Sequence, residues 1–405
     1  MLEPWITDWA GLLVRWFHFM MGVAWIGASF YFIWLNNTVR PPEADESPPD
    51  GVAGGLWAIH GGAFYQVQKY AGAPERLPKV LHWFKWEAYL TWISGFALLL
   101  LHFWLDAGNM MVDPNVMALS AGQAVGIGAA TLVGGWLVYD GLCRTPLKDR
   151  GGLLAGILLA FVTAVAWGLT QVLSARAAYI HVGAMLGTWM SANVFFVIIP
   201  GQRAMVDAMV KGEPPPLDRG KAGSLRSLHN NYLTLPVLFA MISGHFAQTW
   251  GNPMGWAILV AIGLVGAGYR HWVNLDERGD HKPWIPVVAL AGFLAIAWFA
   301  RPAPRPAQAG TSGAGAPARV TMTEVQQIVA ARCLSCHATE PIQAGWAAPP
   351  KGLVLEEPRQ IRAAGAKIHQ QVVVAKIMPL GNLTGLTDAE RATIARWTAQ
   401  EGYDR

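Results

Sequence analysis

The chain of 405 residues is 53% hydrophobic and only 14% charged, and it contains 20 tryptophans. A water-soluble protein of this length would need several cores and far more surface charge, so most of the chain is predicted to lie in a lipid bilayer. The formal net charge of +4 is small, and basic residues that collect between apolar segments argue against a nucleic-acid-binding protein.

Eight segments are apolar and long enough to cross a membrane, since a spanning helix needs about 20 apolar residues. No cleavable signal peptide is expected, because the first apolar segment is too long and lacks a small-residue cleavage site. Residues 1–300 are therefore predicted to form an all-α, eight-span transmembrane helical bundle. The segments lie at 10–35, 84–105, 120–142, 152–174, 178–200, 232–250, 254–274 and 284–300.

Lysine and arginine concentrate in alternate connections between these segments. The connections after the first, third, fifth and seventh segments hold several each, whereas residues 106–119 and 251–253 hold none. Arg226 is counted after the fifth segment, and Arg270, near the end of the seventh segment, is counted with the connection that follows it. Because cytoplasmic loops carry an excess of basic residues, both termini are predicted to lie outside the cytoplasm.

Four histidines occupy related positions in the two halves of the predicted bundle. His18 and His181 are 163 positions apart, and His102 and His245 are 143 apart. With the "YLT" shared by the second and sixth segments, these offsets indicate two four-helix repeats related by an axis along the membrane normal. A symmetric pair would explain a non-covalent haem b in the outer half, because ionisable groups in a bilayer tend to mark function. Neutral histidines hydrogen-bonded between helices are the alternative.

Polar side chains collect near the predicted cytoplasmic ends of the second and sixth segments. They come from "LHWFKWEAYLTW", where residues 82, 85, 86 and 89 have the spacing of one helix face, from "LHNNYLTLP", and from "HGGAFY". The two glycines of "HGGAFY" are predicted to let the backbone approach a ligand closely. They indicate a pocket for a polar ligand, although Lys and Trp also serve as ordinary interface anchors. The candidates are His60, His82, Lys85, Trp86, Glu87, His229, Asn230 and Asn231.

The last hundred residues differ in composition from the rest. Residues 301–320 are rich in Pro, Gly and Ala and predict a linker, and residues 321–405 predict a small soluble domain. "CLSCH" contains the spacing for covalent attachment of haem c, with thioethers from Cys333 and Cys336 and with His337 as an iron ligand. A zinc site would need four N or S ligands, and the remaining cysteine, Cys143, is predicted on the opposite side of the membrane.

The sixth ligand of the haem iron has two candidates. Met378 is followed by Pro379, which fixes the ligand loop, and a thioether gives a high reduction potential. His369 is the rival and would give a lower potential. Helices are predicted before "CLSCH" and after the Met loop, the second with Thr387 as its cap. This pattern favours a class I cytochrome c with Met378 as the ligand.

The quoted segments, with "RWFHFMMGVAWIGASFYF", "HNNYLTLPVLF" and the terminal CxxCH domain, resemble the membrane-bound cytochrome c urate oxidases of bacterial purine catabolism. The resemblance covers essentially the whole chain. It implies oxidation of urate to 5-hydroxyisourate without peroxide, with electrons passed to haem c and on to a cytochrome c or a terminal oxidase. It also implies the bacterial inner membrane, with both termini and the cytochrome domain on the periplasmic side.

The polar candidates suit this substrate, because urate is a planar, weakly acidic purine that is anionic near neutrality. Its pocket needs an aromatic face, planar amides, a cation and a base. The predicted roles are stacking for Trp86, hydrogen bonding to the purine edges for Asn230 and Asn231, charge compensation for Lys85, and proton acceptance for Glu87 or His82.

Two questions stay open at this point. A cytoplasmic pocket and an outer haem c would be separated by about 30 Å of bilayer core, so either a haem b bridges them or urate binds deeper. The competing interpretation is a membrane electron-transfer module that oxidises quinol or feeds a terminal oxidase. A transport role alone would leave haem c unexplained.

Overall fold

The computed structural model describes residues 4–43, 49–72, 74, 76–114, 116–301, 319–343, 349–374 and 376–404. The linker predicted at 301–320 lies almost entirely outside the described residues. Helices form most of the described chain, first in a membrane unit and then in a smaller C-terminal unit.

Eleven helices are described in the membrane unit. A π-helical turn, Leu100–Trp104, extends the second of them, and another, Val194–Ile198, joins the sixth to the seventh. The helices are α1 Pro4–Thr38, α2 Trp86–Leu99, α3 Ala107–Met110, α4 Ala121–Arg144, α5 Gly151–Thr170, α6 Ala175–Asn193, α7 Ile199–Val210, α8 Leu217–Ile242, α9 Ala247–Trp250, α10 Gly255–Glu277 and α11 Trp284–Phe299.

Five described helices are long and apolar enough to cross a membrane: Trp9–Thr38, Ala121–Arg144, Gly151–Thr170, Ala175–Val210 and Gly255–Glu277. Each of the eight predicted segments overlaps a helix, but eight spans are not confirmed. The α-helical part of α2 has 14 residues, α11 has 16, and the first half of α8 is polar. The protein is therefore a multi-pass membrane protein, with five spans found among the described helices where the sequence predicted eight.

The predicted bounds of the sixth segment, 232–250, are wrong. Helix α8 begins at Leu217, ends at Ile242 and is followed by a 3-10 turn, Ser243–His245. The helix starts earlier because polar residues of its first half find partners on neighbouring helices, which a hydropathy window cannot register. His245 consequently lies past the helix end and is exposed.

A β-hairpin in the first connection departs from the all-α expectation. Strand β1, Val52–His60, pairs antiparallel with β2, Ala63–Tyr70. Gly61 and Gly62 have φ of +60° and +82°, as a type I′ turn requires at both central residues. These glycines therefore make a turn, where the sequence had suggested close approach to a ligand.

The C-terminal unit contains α12 Met322–Arg332, α13 Leu334–His337, α14 Pro358–Ala363, α15 Gly365–Ile368 and α16 Asp388–Gln400. The two helices predicted here are confirmed. Each begins with a capping box, Thr321 with Glu324 and Thr387 with Glu390, which satisfies the first backbone N–H groups. Their apolar faces join one core that includes Val325 and Trp397.

Helix α6 is the centre of the membrane unit. The span that contains it is 61% buried, whereas the other four are 22% buried or less. At two glycines of α4, the missing side chain leaves room for side chains of α6. A Cβ on Gly128 would lie 2.6 Å from His181 Nε2, and one on Gly135 would lie 2.6 Å from Met185 Sδ. The packing of α4 on α6 therefore depends on these glycines.

Gly128→Ala is expected to destabilise the membrane unit by about 1–3 kcal/mol, because an added methyl group overpacks the site of His181. Thermal unfolding in detergent measures the loss. Gly126→Ala is the matched control on the same helix, since a Cβ there meets nothing within 4 Å, and alanine is the better helix former by about 1 kcal/mol. Equal stability of the two variants would contradict the described packing.

Candidate functional site

The CxxCH motif lies between two helices of the C-terminal unit. Cys333 ends α12, and α13 carries Cys336 and His337. His337 Nδ1 is 2.9 Å from the carbonyl oxygen of Leu353. A carbonyl only accepts, so Nδ1 carries the proton and Nε2 keeps the lone pair, as for a histidine that binds a metal. These residues fit a covalently attached haem c.

Burial, reinforced by the nearby Cys336 and Glu390, raises the pKa of the Cys333 thiol to about 12, so this thiol is uncharged at neutral pH.

Within the described residues, no group of three or more His, Cys, Asp or Glu side chains has an arrangement that would hold a metal ion. Haem needs only one or two axial protein ligands, so this observation bears on zinc-type sites alone.

The two candidates for the sixth ligand have different surroundings. His369 is buried, and its Nδ1 is 2.8 Å from Thr398 Oγ1 on α16. Met378 is half-buried at the edge of the core, and its backbone N–H donates to the carbonyl of Gln371. The contact of His369 with Thr398 involves Nδ1 and not Nε2, so both residues stay candidates for the sixth ligand.

The Met loop also faces the membrane unit. The short 3-10 turn Leu380–Asn382 packs on α3, and Ile377 packs against the core of the membrane unit. The segment around Met378 therefore lies at the contact between the two units.

The four histidines of the predicted repeats, which are the candidates for a haem b, have different surroundings. His18 Nδ1 is 2.9 Å from the carbonyl of Thr91 on α2. His181 is fully buried, with Nε2 accepting from Trp104 Nε1 at 3.0 Å and Nδ1 2.8 Å from the carbonyl of Ala177. Both nitrogens of His181 are thus used in helix packing.

The histidines of the second predicted pair, His102 and His245, also lie in different surroundings. His102 Nε2 is 3.0 Å from Arg15 Nη2 on α1, and His245 lies in the exposed turn after α8. His18 and His102 thus bond between α1 and the helix formed by α2 with its π-helical turn, as the alternative of histidines hydrogen-bonded between helices expects, and the haem b stays a prediction.

The candidates near the start of α2 lie mostly outside the helix. Because α2 begins at Trp86 with Lys85 as its N-cap residue, the predicted common helix face does not extend to His82 or Lys85. Trp86 is 59% exposed, and Lys85 Nζ is 5.3 Å from the centre of its ring. Glu87 is half-buried in the first turn, and His60 is exposed at the hairpin tip.

His229 and Asn230 belong to a buried network between α4, α6 and α8. Asn193 Nδ2 donates to Tyr139 Oη at 2.9 Å and to Asn230 Oδ1 at 2.8 Å. The Tyr139 hydroxyl is 2.9 Å from His229 Nδ1. Arg226 donates to Asn193 Oδ1 at 3.1 Å. We call these five residues the tyrosine network.

An ion pair completes the tyrosine network. Arg226 Nη2 donates to Asp140 Oδ1 at 2.7 Å, and the exposed Arg144 donates to the other carboxylate oxygen at 2.6 Å. The Arg226 side chain is 5% exposed and that of Asp140 is 14% exposed. The charge of Arg226 is therefore compensated inside the bundle.

Asn231 belongs to a second buried network, between α8 and α10. Its Nδ2 donates to Asn274 Oδ1 at 3.1 Å, and its Oδ1 accepts from Arg270 Nε at 2.5 Å. We call Asn231, Arg270 and Asn274 the arginine network. Successive helix residues point about 100° apart, so Asn230 and Asn231 face different neighbours and do not form the predicted pair.

The sequence interpretation missed Arg226 and Arg270 as site residues. Both had been counted among the basic residues of cytoplasmic connections, yet each is 4% exposed inside a helix. A usable signal was the spacing in "RHWVNLDE", where Arg270, Asn274 and Glu277 follow i, i+4 and i+7 and so share one helix face.

Comparison with known proteins identifies the membrane unit. The family model described as "Urate oxidase N-terminal" matches residues 4–301. The chain belongs to the urate oxidase N-terminal family. The match extends from α1 to just past α11, so the C-terminal unit of this family member lies outside it. Membership indicates a urate-related function and an oxidoreductase class for the membrane unit.

This urate oxidase family member also shows weaker similarity to membrane permeases. The vitamin B12 import system permease protein BtuC of Citrobacter koseri is 24% identical over 213 residues, which cover 46% of the chain and 62% of the permease. BtuC of Salmonella newport is 26% identical over 215 residues, with 46% and 63% covered. The chain thus spans less than two-thirds of these permeases. No solved structure matches it.

Proposed function

We propose that this protein is a membrane-bound urate oxidase that converts urate to 5-hydroxyisourate and passes the electrons to a haem c on its own C-terminal unit. The observation that carries the proposal is the family match over the whole membrane unit, in a chain that continues into a CxxCH motif whose His337 Nδ1 bonds to the Leu353 carbonyl. The acceptor beyond haem c is a cytochrome c or a terminal oxidase of the respiratory chain.

The reaction removes two electrons and two protons from urate and adds one water. Cys333 and Cys336 would hold a haem c as thioethers, with His337 and Met378 as the proposed iron ligands, and the bound group would supply a one-electron acceptor. Glu87 or His82 is proposed to take the N–H proton, and Lys85 to offset the charge of the anion. Trp86, His60, His229 and Asn230 stay proposed as further substrate contacts.

The start of α2 and the arginine network lie at the same end of α1. The ring of Phe84 contacts that of Phe32 at 4.7 Å between centroids, and the ring of Phe30 contacts the guanidinium of Arg270 at 4.2 Å. We therefore propose that Lys85 and Glu87 act near the arginine network, at the cytoplasmic end. Both termini and the C-terminal unit are proposed to be periplasmic.

Anaerobic addition of urate to the purified, oxidised protein tests the proposal. We expect the visible absorption band of ferrous c-type haem to appear and 5-hydroxyisourate to form, with two haems reduced per urate consumed. Hypoxanthine, a purine that lacks two of the three urate oxygens, is the control and should leave the haem oxidised.

Two competing functions give different results in the same experiment. A quinol-oxidising electron-transfer module would be reduced by quinol and not by urate. The permease similarity favours transport as the other competitor, and a transporter would bind urate while its haem stayed oxidised. Either result would contradict the proposed oxidation.

A further inference from the structure

We infer that the arginine network is a binding site for a small planar organic anion with hydrogen-bond acceptors on its edge. The identification of this anion as urate rests on the proposed function, whereas the site itself rests on the contacts of Arg270, Asn274 and Asn231. It would place the substrate between α8 and α10, deeper than the start of α2.

Two buried donors of the network lack partners. Among the described residues, Arg270 Nη2 and Asn274 Nδ2 are buried side-chain atoms without a hydrogen bond, and the two residues are 4% and 2% exposed. Natural proteins rarely leave buried donors unpaired, and each such group calls for an explanation. The two residues are one turn apart on the same face of α10, so one small ligand can accept from both.

Asn231 determines which atoms remain for a ligand. Its Oδ1 accepts from Arg270 Nε and its Nδ2 donates to Asn274 Oδ1, so the acceptor of Asn274 is already used. What the network offers is therefore donors, and the complementary ligand carries acceptors such as carbonyl oxygens or a deprotonated ring nitrogen.

The charge around the network favours an anion. Arg270 Nη1 is 3.9 Å from Glu277 Oε1, and Glu277 Oε2 accepts from Asn37 at 2.8 Å. Arg278 donates to Asn37 Oδ1 at 2.9 Å, and Arg40 donates to the backbone carbonyl of Asn37 at 2.8 Å. Arg270 thus faces the Glu277 carboxylate while Arg278 and Arg40 bond to Asn37 beside it, so three guanidinium groups share this chain of contacts with one carboxylate, which leaves a positive excess.

The orientation of Arg270 favours a planar ligand. Its guanidinium carbon is 4.2 Å from the centre of the Phe30 ring, a cation–π contact that restricts the rotation of the fork. Since Nε faces Asn231 and Nη1 faces Glu277, the donors left for a ligand are Arg270 Nη2 and Asn274 Nδ2, and two acceptors on one planar edge can meet both. Adjacent carbonyl and ring-nitrogen atoms of an oxidised purine anion have this arrangement, whereas a tetrahedral anion matches it less well.

Binding is measured on the full-length protein reduced beforehand, so that bound urate cannot be oxidised. Equilibrium dialysis with labelled urate gives the dissociation constant, and orotate and inorganic phosphate serve as a planar and a tetrahedral comparison. Arg270→Lys keeps the charge but loses the fork. Asn274→Asp keeps the oxygen that accepts from Asn231 and replaces the unpaired donor with an acceptor.

Each variant is expected to weaken urate binding about ten- to hundredfold, since each removes a hydrogen bond to a charged ligand. Lys282→Met is the matched control. It lowers the net charge by one, as Asn274→Asp does. The Lys282 side chain is exposed at the same end of the membrane unit and pairs with Asp280, so its replacement should change the affinity for urate less than twofold.

The outcomes separate this inference from the proposed function. Unchanged urate affinity in both variants, or phosphate binding alone, would overturn the inference while leaving urate oxidation standing. If the protein binds orotate but not urate, and both variants lose orotate, the anion site is supported and the proposed substrate is wrong. Failure to bind any of the three anions would overturn the site.

Discussion

A Cys336→Ala protein is expected to insert into the membrane at the normal level, to retain no stable two-thioether haem, and to lose urate-dependent reduction of haem c completely. Covalent attachment at CxxCH needs both thiols for the two bonds to the porphyrin, whereas membrane insertion of the helices does not depend on Cys336. Haem staining after denaturing electrophoresis reports the covalent link, and membrane fractionation reports insertion.

Met378→Ala is the companion variant. It keeps both thioethers and His337, so covalent haem should persist while the reduction potential falls, because thioether ligation raises the potential of the iron. A potential equal to that of the wild type would instead point to His369 as the sixth ligand. Urate oxidation at the normal rate by Cys336→Ala would rule out haem c as the acceptor.

Asp140→Ala is expected to cost about 3–5 kcal/mol of stability, because it leaves the buried guanidinium of Arg226 without its carboxylate. The loss should extend to the tyrosine network, since Arg226 also donates to Asn193. Equilibrium unfolding in mixed micelles, followed by tryptophan fluorescence, measures the change.

Arg144→Ala is the matched control, since it removes the other partner of the same carboxylate. The Arg144 side chain is 69% exposed, and exposed ion pairs contribute only about 0–1 kcal/mol. Similar losses in the two variants would show that Asp140 does not compensate a buried charge.

The features that local sequence determines were predictable. The Thr387 cap marked the start of the last helix, because a capping box acts within a few residues, and "CLSCH" likewise predicts haem attachment from its spacing alone. The hairpin carried a local signal as well, in two glycines between runs rich in aromatic and aliphatic residues. It was missed because those glycines were interpreted as a ligand contact.

The buried networks were harder to predict because their partners are distant in sequence. Arg226 and Arg270 look like cytoplasmic loop charges to a hydropathy count, and only the packing of α8 between α6 and α10 shows that both are buried. The same limitation explains Asn230 and Asn231, which are adjacent in the chain but bind different helices. The histidine offsets likewise gave no information on which side chain each ring would meet.

The packing of Leu380–Asn382 on α3 joins two units of the same chain, and this determines how strong the contact has to be. Because both units belong to one chain, their association is intramolecular, and linked modules meet at an effective concentration on the order of millimolar. A contact with an intrinsic dissociation constant of about 1 mM, or about 4 kcal/mol, would then be occupied roughly half of the time. A contact made by few residues is therefore sufficient. The soluble electron acceptor proposed above would then have two routes: it would compete for this face whenever the C-terminal unit departs, or it would dock on a face that the membrane unit leaves uncovered.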